Sequence, residues 1–284
     1  MRLSELKKDI ENRLTPAVGN KEAEAVTRII LEDTLGINRV NIALYPDREV
    51  TDDTVMSVNR MTDRVIQGEP LQYILGYADF HGLRLKVDSS VLIPRPETSA
   101  LVDLVVDTLA HAKDKRLLDV GTGSGAIAIA LARELPFADI TAVDISSDAL
   151  TVAKSNAHQN GVEKYINFKY CDILNDPLPG DDYDAVVSNP PYVAEHEKTG
   201  MDNRVLDYEP HTALFVPDKD PLLFYREIAQ KAFDKLKTGG YIFFEINPLY
   251  HKQLEQLISS LGYTDITVSR DFCGRTRFLQ ASKT

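Results

Sequence analysis

The amino-acid sequence predicts a small helical bundle followed by a doubly wound α/β domain, and three observations carry that expectation. From Lys115 onward, strand-like and helix-like runs alternate, the pattern of βαβ units on a mostly parallel sheet. One strand-like run leads directly into Gly121-Thr122-Gly123-Ser124-Gly125 and then into a helix. By contrast, residues 1–75 show only helical spacing of their apolar side chains. The expected divisions are a helical domain over 1–75, a β-hairpin linker over 76–96 and the α/β domain over 97–284.

In the helical part, Leu3, Leu6, Ile10 and Leu14 line one face of a first helix. Asn20 is expected to cap a second, with Glu22 and Glu24 in its first turn and Gly36 just past its end. Asp52 or Asp53 opens a third, with Val55, Thr62, Val65 and Ile66 on one face and Gly68 as its stop. The surface of this bundle is acidic-leaning and mixed, without a cluster of His, Cys or paired carboxylates that suggests chemistry.

Leu83, Leu85 and Val87 then alternate with Arg84 and Lys86, which is strand periodicity, and Gly82 can turn the chain before them. Pro94 and Pro96 punctuate the next stretch, and a helix is expected from Glu97 to Ala110. Strands are expected at Leu117–Val120, Ile140–Val143, Ile166–Tyr170, Ala185–Val187, Tyr241–Ile246, Ile266–Val268 and Arg277–Gln280. Helices fall at Ala126–Glu134, Asp148–Asn160 and Pro221–Leu236. No helix fits between the last two strands, so they form an antiparallel pair across Asp271–Gly274.

Hydrophobic residues make up 43% and charged residues 26% of the 284, which is a globular composition and excludes a disordered chain. No apolar run is long enough for a transmembrane helix, and the charged N-terminus lacks the apolar core of a signal peptide. The 43 acids and 32 bases give a net charge of −11, which argues against nucleic-acid binding through a phosphate backbone. Cys171 and Cys273 show no pairing pattern, so a reducing, cytoplasmic setting is expected.

Glycines between a strand and a helix let a ligand approach the backbone, and the helix N-terminus points N–H groups at it. Gly121, Gly123 and Ala126 also satisfy the dinucleotide fingerprint G-x-G-x-x-A. The loop is neither a Walker loop, since no Gly-Lys-Ser/Thr follows, nor a nucleophile elbow, since Gly123 stands where serine is needed. Asp144 ends the second strand of the α/β domain, where a carboxylate can accept from both hydroxyls of a ribose. The alternative is a strand-end acid capping the next helix, but Ser146 and Ser147 can cap it equally well, which favours the ribose. Asp172 ends the third strand, where it can accept from an adenine amine while the N–H of Ile173 reaches a ring nitrogen. Asp119 can pair with a ligand ammonium. Together these positions suit an adenosine-containing ligand with a positively charged end.

The fourth strand runs into Asn189-Pro190-Pro191-Tyr192. The prolines stiffen the loop, and Asn189, preceding one, is pushed to an extended conformation that can present its amide. A planar –NH2 substrate there can donate one N–H to the Asn189 side-chain oxygen and the other to the Pro190 carbonyl. The Tyr192 ring can stack on a flat amide or base. Such a loop aligns a nitrogen for in-line attack. The six histidines, including His111, show no metal-ligand spacing, so chemistry without a metal or a covalent enzyme intermediate is expected.

On these residues the C-terminal part resembles a class I S-adenosylmethionine-dependent methyltransferase, with a seven-stranded sheet whose last strand is antiparallel. Nearly the whole chain resembles the HemK-like release-factor glutamine methyltransferases. That narrower likeness lies in Gly68-Glu69-Pro70-Leu71-Gln72-Tyr73-Ile74-Leu75-Gly76, Ile93-Pro94-Arg95-Pro96-Glu97-Thr98 and Asn189-Pro190-Pro191-Tyr192. Asp207-Tyr208-Glu209-Pro210 with Ala213-Leu214, and Arg270-Asp271 with Gly274 and Arg277, extend it. The resemblance implies methylation of the glutamine side-chain nitrogen in the Gly-Gly-Gln motif of peptide-chain release factors, leaving S-adenosylhomocysteine. It implies that Gly121, Thr122, Gly123, Ser124 and Gly125 line the cofactor, with Asp144 on its ribose and Asp172-Ile173 on its adenine. Asn189 would touch cofactor and glutamine, with Pro190, Pro191 and Tyr192 shaping the substrate slot and the helical domain gripping the release factor. A monomer is expected. The chain departs from the family pattern at Ser99, where glutamate is frequent, and at Asn247-Pro248, where glycine follows Glu-Ile. Adenine-amine methyltransferases of DNA or RNA share Asn-Pro-Pro-Tyr, so that activity is the alternative reading.

Overall fold

The computed structural model describes residues 1–109 and 114–284, so the expected helix end at Ala110 and His111 lie outside the described residues. The chain divides into two compact units: Met1–Gly76 with Asp202–Tyr208, and Tyr77–Met201 with Glu209–Thr284. Among the described residues no helix is long and apolar enough to cross a membrane.

The smaller unit contains α1 (Leu3–Val18), α2 (Asn20–Leu35), α3 (Arg39–Leu44), α4 (Asp52–Ile66) and α5 (Leu71–Leu75). The expected stripe of α1, Leu3, Leu6, Ile10 and Leu14, is buried against Ala23, Val26, Ile30 and Leu31 of α2 and Val58 and Val65 of α4. Two details differ from the sequence reading. Gly19, at φ 80° and ψ 161°, takes the cap position of α2, and Asn20 is its first helical residue. A single residue joins α1 to α2, and only glycine adopts that backbone conformation without strain. Asp52 opens α4 as expected, and the Thr51 hydroxyl before it caps the helix, accepting from Thr54 N. Ile66, the last residue of α4, is 41% exposed, and Val58 takes its place on the buried face.

The larger unit opens with the hairpin of β1 (Tyr77–Phe80) and β2 (Leu83–Lys86). His81 and Gly82 both have positive φ, at 48° and 71°, as a two-residue turn matched to strand twist requires. After α6 (Thr98–Leu109) come β3 (Arg116–Val120), α7 (Ala126–Glu134), β4 (Asp139–Asp144), α8 (Ser147–Gln159), β5 (Ile166–Tyr170) and β6 (Tyr183–Ser188). Two-residue strands β7 (Val193–Ala194) and β8 (Phe215–Val216) flank α9 (Asn203–Tyr208), the segment that belongs to the helical unit. There Arg204 pairs with Glu22, and the Tyr208 hydroxyl donates to the Gln67 carbonyl at 3.1 Å. The chain ends with α10 (Leu223–Lys235), β9 (Leu236–Glu245), α11 (His251–Ser260), β10 (Tyr263–Arg270) and β11 (Thr276–Lys283).

The sheet has seven strands in the order β10-β11-β9-β6-β3-β4-β5, and only β11 runs antiparallel to its neighbours. Every residue of β6 is buried, as expected of a strand covered on both faces. One apolar layer packs α6, α7 and the hairpin on one face, and a second packs α10 and α11 on the other. From β3 the chain steps outward to β4 and β5, then crosses back to β6 on the other side of β3. The reversal places a crevice at the carboxyl ends of β3 and β6, where ligands bind in such sheets.

Asn156 of α8 braces that edge. Its Nδ2 donates to the Ser124 and Lys86 carbonyls, both at 2.9 Å, and its Oδ1 accepts from Lys86 N at 2.6 Å. The hairpin and the glycine loop are thus tied to one buried amide. Asn156→Ala leaves one buried backbone group, the Ser124 carbonyl, and two partly buried ones on Lys86 unpaired, and should cost about 2–5 kcal/mol in denaturant unfolding, since a fully buried orphan costs roughly 1–3 and a partly exposed one less.

Candidate functional site

The loop Gly121–Gly125 starts where β3 ends. Gly121 N and Thr122 N donate to the Val143 carbonyl at 2.9 and 3.0 Å, which pins the loop to β4. All three glycines have positive φ, but for different ends. A side chain added at Gly121 or Gly123 would meet nothing within 4 Å, so these residues face open space. One added at Gly125 would meet Ile129 Cδ1 at 2.9 Å and Ala153 Cβ at 3.2 Å, so Gly125 permits close helix packing. Ser124 is buried, its carbonyl held by Asn156.

Asp119 lies beneath this loop, 1% exposed. Thr122 Oγ1 donates to its Oδ2 at 2.6 Å, while Oδ1 is buried with no hydrogen-bond partner. Burial pushes its carboxyl up to about 7, against the pull of the Thr122 hydroxyl and the Ala128 N–H. An orphaned carboxylate oxygen under a glycine loop suits a ligand that brings a positive charge.

Asp144 bridges the loop to the next helix. Its Oδ2 accepts from Gly123 N and its Oδ1 from Ser146 N, both at 2.8 Å. Burial raises its carboxyl, and these backbone donors counteract that. Ser146, not Asp144, caps α8, accepting from Ala149 N at 3.1 Å. Asp172 sits beside it, because Cys171 N donates to the Asp144 carbonyl at 3.0 Å. Its carboxylate turns back onto its own loop, accepting from Leu174 N at 2.9 Å and Asn175 Nδ2 at 2.7 Å. The Asn175 bond holds it below the usual carboxylate range. Ile173 is half-buried against the second apolar layer, and its carbonyl accepts from Lys231.

Across the crevice, Ser188 Oγ donates to the Val120 carbonyl at 2.6 Å, so Asn189 follows a strand end stitched to the start of the glycine loop. Pro190 is buried, and Asn189, Pro191 and Tyr192 are half-buried. The sequence reading gave Tyr192 a stacking ring only. Its hydroxyl is in fact anchored, donating to Glu245 Oε1 at 3.1 Å. Burial and the adjacent Glu245 hold that phenol well above its ordinary range.

Glu245, at the end of β9, is 1% exposed and was not singled out from sequence. It accepts from Thr98 Oγ1 at 2.6 Å as well as from Tyr192. Burial raises its carboxyl, while the Thr98 hydroxyl and the Arg277 charge pull it back. Thr98 Oγ1 also accepts from Asn189 Nδ2 at 3.4 Å. Asn247, one of the family departures, clamps the far end of the loop: its Nδ2 donates to the Tyr192 carbonyl at 3.0 Å and to Glu197 Oε2 at 2.9 Å. Thr98 and Arg277 lie in segments that carried the family resemblance, which was their only sequence signal. Glu245 had, besides its strand-end position, only its place in the Glu-Ile pair that precedes the departure at Asn247.

Residues 99–207 match the family described as Methyltransferase small domain, and residues 5–76 match the PrmC N-terminal domain. Among solved structures, the chain is similar to "hMettl16 catalytic domain in complex with MAT2A 3'UTR hairpin 6", with TM-score 0.57, 20% identity and 82% of each chain covered. That likeness is one of fold. The sheet and its glycine loop define an S-adenosylmethionine-dependent methyltransferase. A curated release factor glutamine methyltransferase of Bacteroides thetaiotaomicron is 42% identical over 93% of this chain and 94% of its own length. Another, of Flavobacterium psychrophilum, is 38% identical over 92% of both chains. The chain belongs to the release factor glutamine methyltransferase family.

The two kinds of glycine separate by stability. Gly125→Ala combines a left-handed φ with overpacking and should cost about 2–4 kcal/mol. Gly123→Ala should cost only about 1–2, from its backbone alone. Denaturant unfolding of the ligand-free protein checks this, and equal losses would refute the packing role of Gly125.

Proposed function

We propose that this protein transfers a methyl group from S-adenosylmethionine to the side-chain amide nitrogen of the glutamine in the Gly-Gly-Gln motif of peptide-chain release factors, leaving S-adenosylhomocysteine. The observation that carries this reading is a stiff Asn189-Pro190-Pro191-Tyr192 loop beside the glycine loop, backed by buried Glu245. The protein would act as a cytoplasmic monomer, with the helical unit gripping the release factor and no nucleic acid bound.

The site residues fit the cofactor. Gly121 and Gly123 give it backbone and open space, with Thr122, Ser124 and Gly125 holding the loop in shape. The unpartnered Asp119 Oδ1 suits its ammonium group. Each Asp144 oxygen accepts one backbone N–H and has a lone pair left for a ribose hydroxyl. Asp172 and the Ile173 N–H would read the adenine. When bound, S-adenosylmethionine supplies an electrophilic methyl on a sulfonium.

The protein's own task is to make a poor nucleophile attack. A neutral amide nitrogen has its lone pair delocalised into the carbonyl. Asn189 Oδ1 and the Pro190 carbonyl accept its two N–H bonds, which returns electron density to nitrogen and fixes its face. Both bonds strengthen as positive charge builds on nitrogen, so they favour the transition state. The carbon–sulfur bond breaks as the carbon–nitrogen bond forms, and the acidified nitrogen loses its proton to water. Tyr192 flanks the amide with its ring, and no step uses a metal.

Asn189→Ala should lower kcat by about 10²–10³-fold, the scale for losing a preorganised transition-state hydrogen bond. The measurement is single-turnover methyl transfer, with intact release factor, a Gly-Gly-Gln peptide and nucleic acid offered side by side and the label located by mass spectrometry. The intact factor should give a far higher kcat/KM than the peptide. Label on nucleic acid, or normal turnover of Asn189→Ala, would overturn the reading.

A second test uses pH. Asp119 in the free protein keeps its proton up to about pH 7. An ammonium ligand requires the carboxylate, so cofactor affinity should rise with pH through 7 and then level off. Binding near neutral pH should release a proton, seen by calorimetry in two buffers of different ionisation enthalpy. Asp119→Asn should abolish that release.

A further inference from the structure

Three side chains far apart in sequence converge behind the Asn189 loop: Thr98 at the start of α6, Tyr192, and Glu245 at the end of β9. Thr98 and Glu245 are 4% and 1% exposed. Thr98 Oγ1 lies 2.6 Å from Glu245 Oε2 and 3.4 Å from Asn189 Nδ2.

The direction of this chain follows from counting protons. A carboxylate has only acceptors, and a threonine hydroxyl has one hydrogen and two lone pairs. The short, charge-assisted contact commits that hydrogen to Glu245. Thr98 Oγ1 therefore has only lone pairs to turn toward Asn189. The Asn189 amide has a donor at one end and an acceptor at the other, so its –NH2 faces Thr98 and its Oδ1 faces away. A reversed amide would set oxygen against oxygen.

We propose that Thr98 and Glu245 are positioning residues that fix the polarity of Asn189, so that it shows its carbonyl oxygen rather than its –NH2 to the substrate amide. This rests on the proposed function, in which Asn189 accepts from the glutamine –NH2. A flipped Asn189 would aim a donor at a donor, and the nucleophile would lose one of its two acceptors. Glu245 acts without touching the substrate: as the acceptor at the end of the chain, it makes the hydroxyl an acceptor toward Asn189. The second Glu245 oxygen accepts a hydrogen bond from the Tyr192 hydroxyl, so the same carboxylate holds both ends of the Asn-Pro-Pro-Tyr loop.

The test is a double-mutant cycle of Thr98→Val and Asn189→Ala, read as single-turnover methyl transfer to a Gly-Gly-Gln peptide at saturating cofactor. Thr98→Val should lower kcat about 5–30-fold, the scale of one to two hydrogen bonds of orientation, with the KM for cofactor unchanged. Thr98→Ser, which keeps the hydroxyl, should restore the rate. In the Asn189→Ala background Thr98→Val should cost nothing more, since no amide remains to orient. Glu245→Gln, whose amide can donate to Thr98 and free its hydrogen, should also slow turnover and show the same non-additivity. It replaces Thr98→Val in the cycle if that variant does not fold. A folded Thr98→Val enzyme with normal kcat, or an equal loss with and without Asn189, overturns the inference while leaving the proposed function standing. Normal turnover of Asn189→Ala overturns the proposed function itself.

Discussion

The parallel seam between β3 and β6 is the constraint on which the site depends. Their register sets Val120 opposite Ser188, and the buried Ser188 hydroxyl stitches that last pair through the Val120 carbonyl. The glycine loop leaves one side of the seam and Asn189 the other. A one-residue slip would turn every side chain of β6 to the opposite face and carry Asn189 away from the loop. The β3–β4 register does the same for Asp144, bringing its carboxylate to Gly123 N. Two ladders of backbone hydrogen bonds thus place groups that are distant in sequence along one sheet edge.

What was legible in the sequence is what sits contiguously there. The glycine loop, Asn189–Tyr192 and the strand-end aspartates each follow a recognisable strand, and strand order converts those positions into a common edge. The seven strands and the antiparallel last one were legible because apolar runs and gap lengths encode them. The supports were not. Thr98 and Glu245 meet across 147 residues, and Asn156 reaches Lys86 across 70. A polar residue in a helix or at a strand end carries no periodic signal of such a partner. The short helices α3, α5 and α9 were missed for a related reason: five or six residues do not complete a pattern. Asp202–Tyr208 belongs to the helical unit, where Arg204 meets Glu22 and Tyr208 meets Gln67, contacts that no local pattern announces.

The site also gathers local costs that a fold selected for stability alone would avoid. Asp119 and Glu245 are buried carboxyls, both raised by desolvation. Glu245 is compensated by Thr98, Tyr192 and Arg277. Asp119 is compensated at one oxygen only. Its folded-state value lies above that of an unfolded chain, so its contribution to stability is present at acid pH and is lost as pH rises through about 7. A ligand cation removes that penalty, so the free protein is least comfortable at the pH where the proposed cofactor would gain most. Local rules broken at one place, with satisfied neighbours all round, are the expected mark of a binding site.

The placement of these carboxyls matches the proposed chemistry. An amide nitrogen attacking a sulfonium methyl needs no base before transfer, because its proton becomes acidic only afterwards. A base beside it would add a negative charge where a neutral acceptor suffices. The loop itself carries an amide, two prolines and a phenol, none of them ionised at neutral pH. The ionisable groups stand behind it: Glu245 under Asn189 and Tyr192, and Asp119 under the glycines. In the proposed reaction charge would act at one remove, setting the direction of hydrogen bonds and receiving a cation, while the reacting edge would stay neutral. For that reaction the decisive property of Asn189 would be less its strength as an acceptor than the end of its amide that faces the substrate, an end that Thr98 and Glu245 would set.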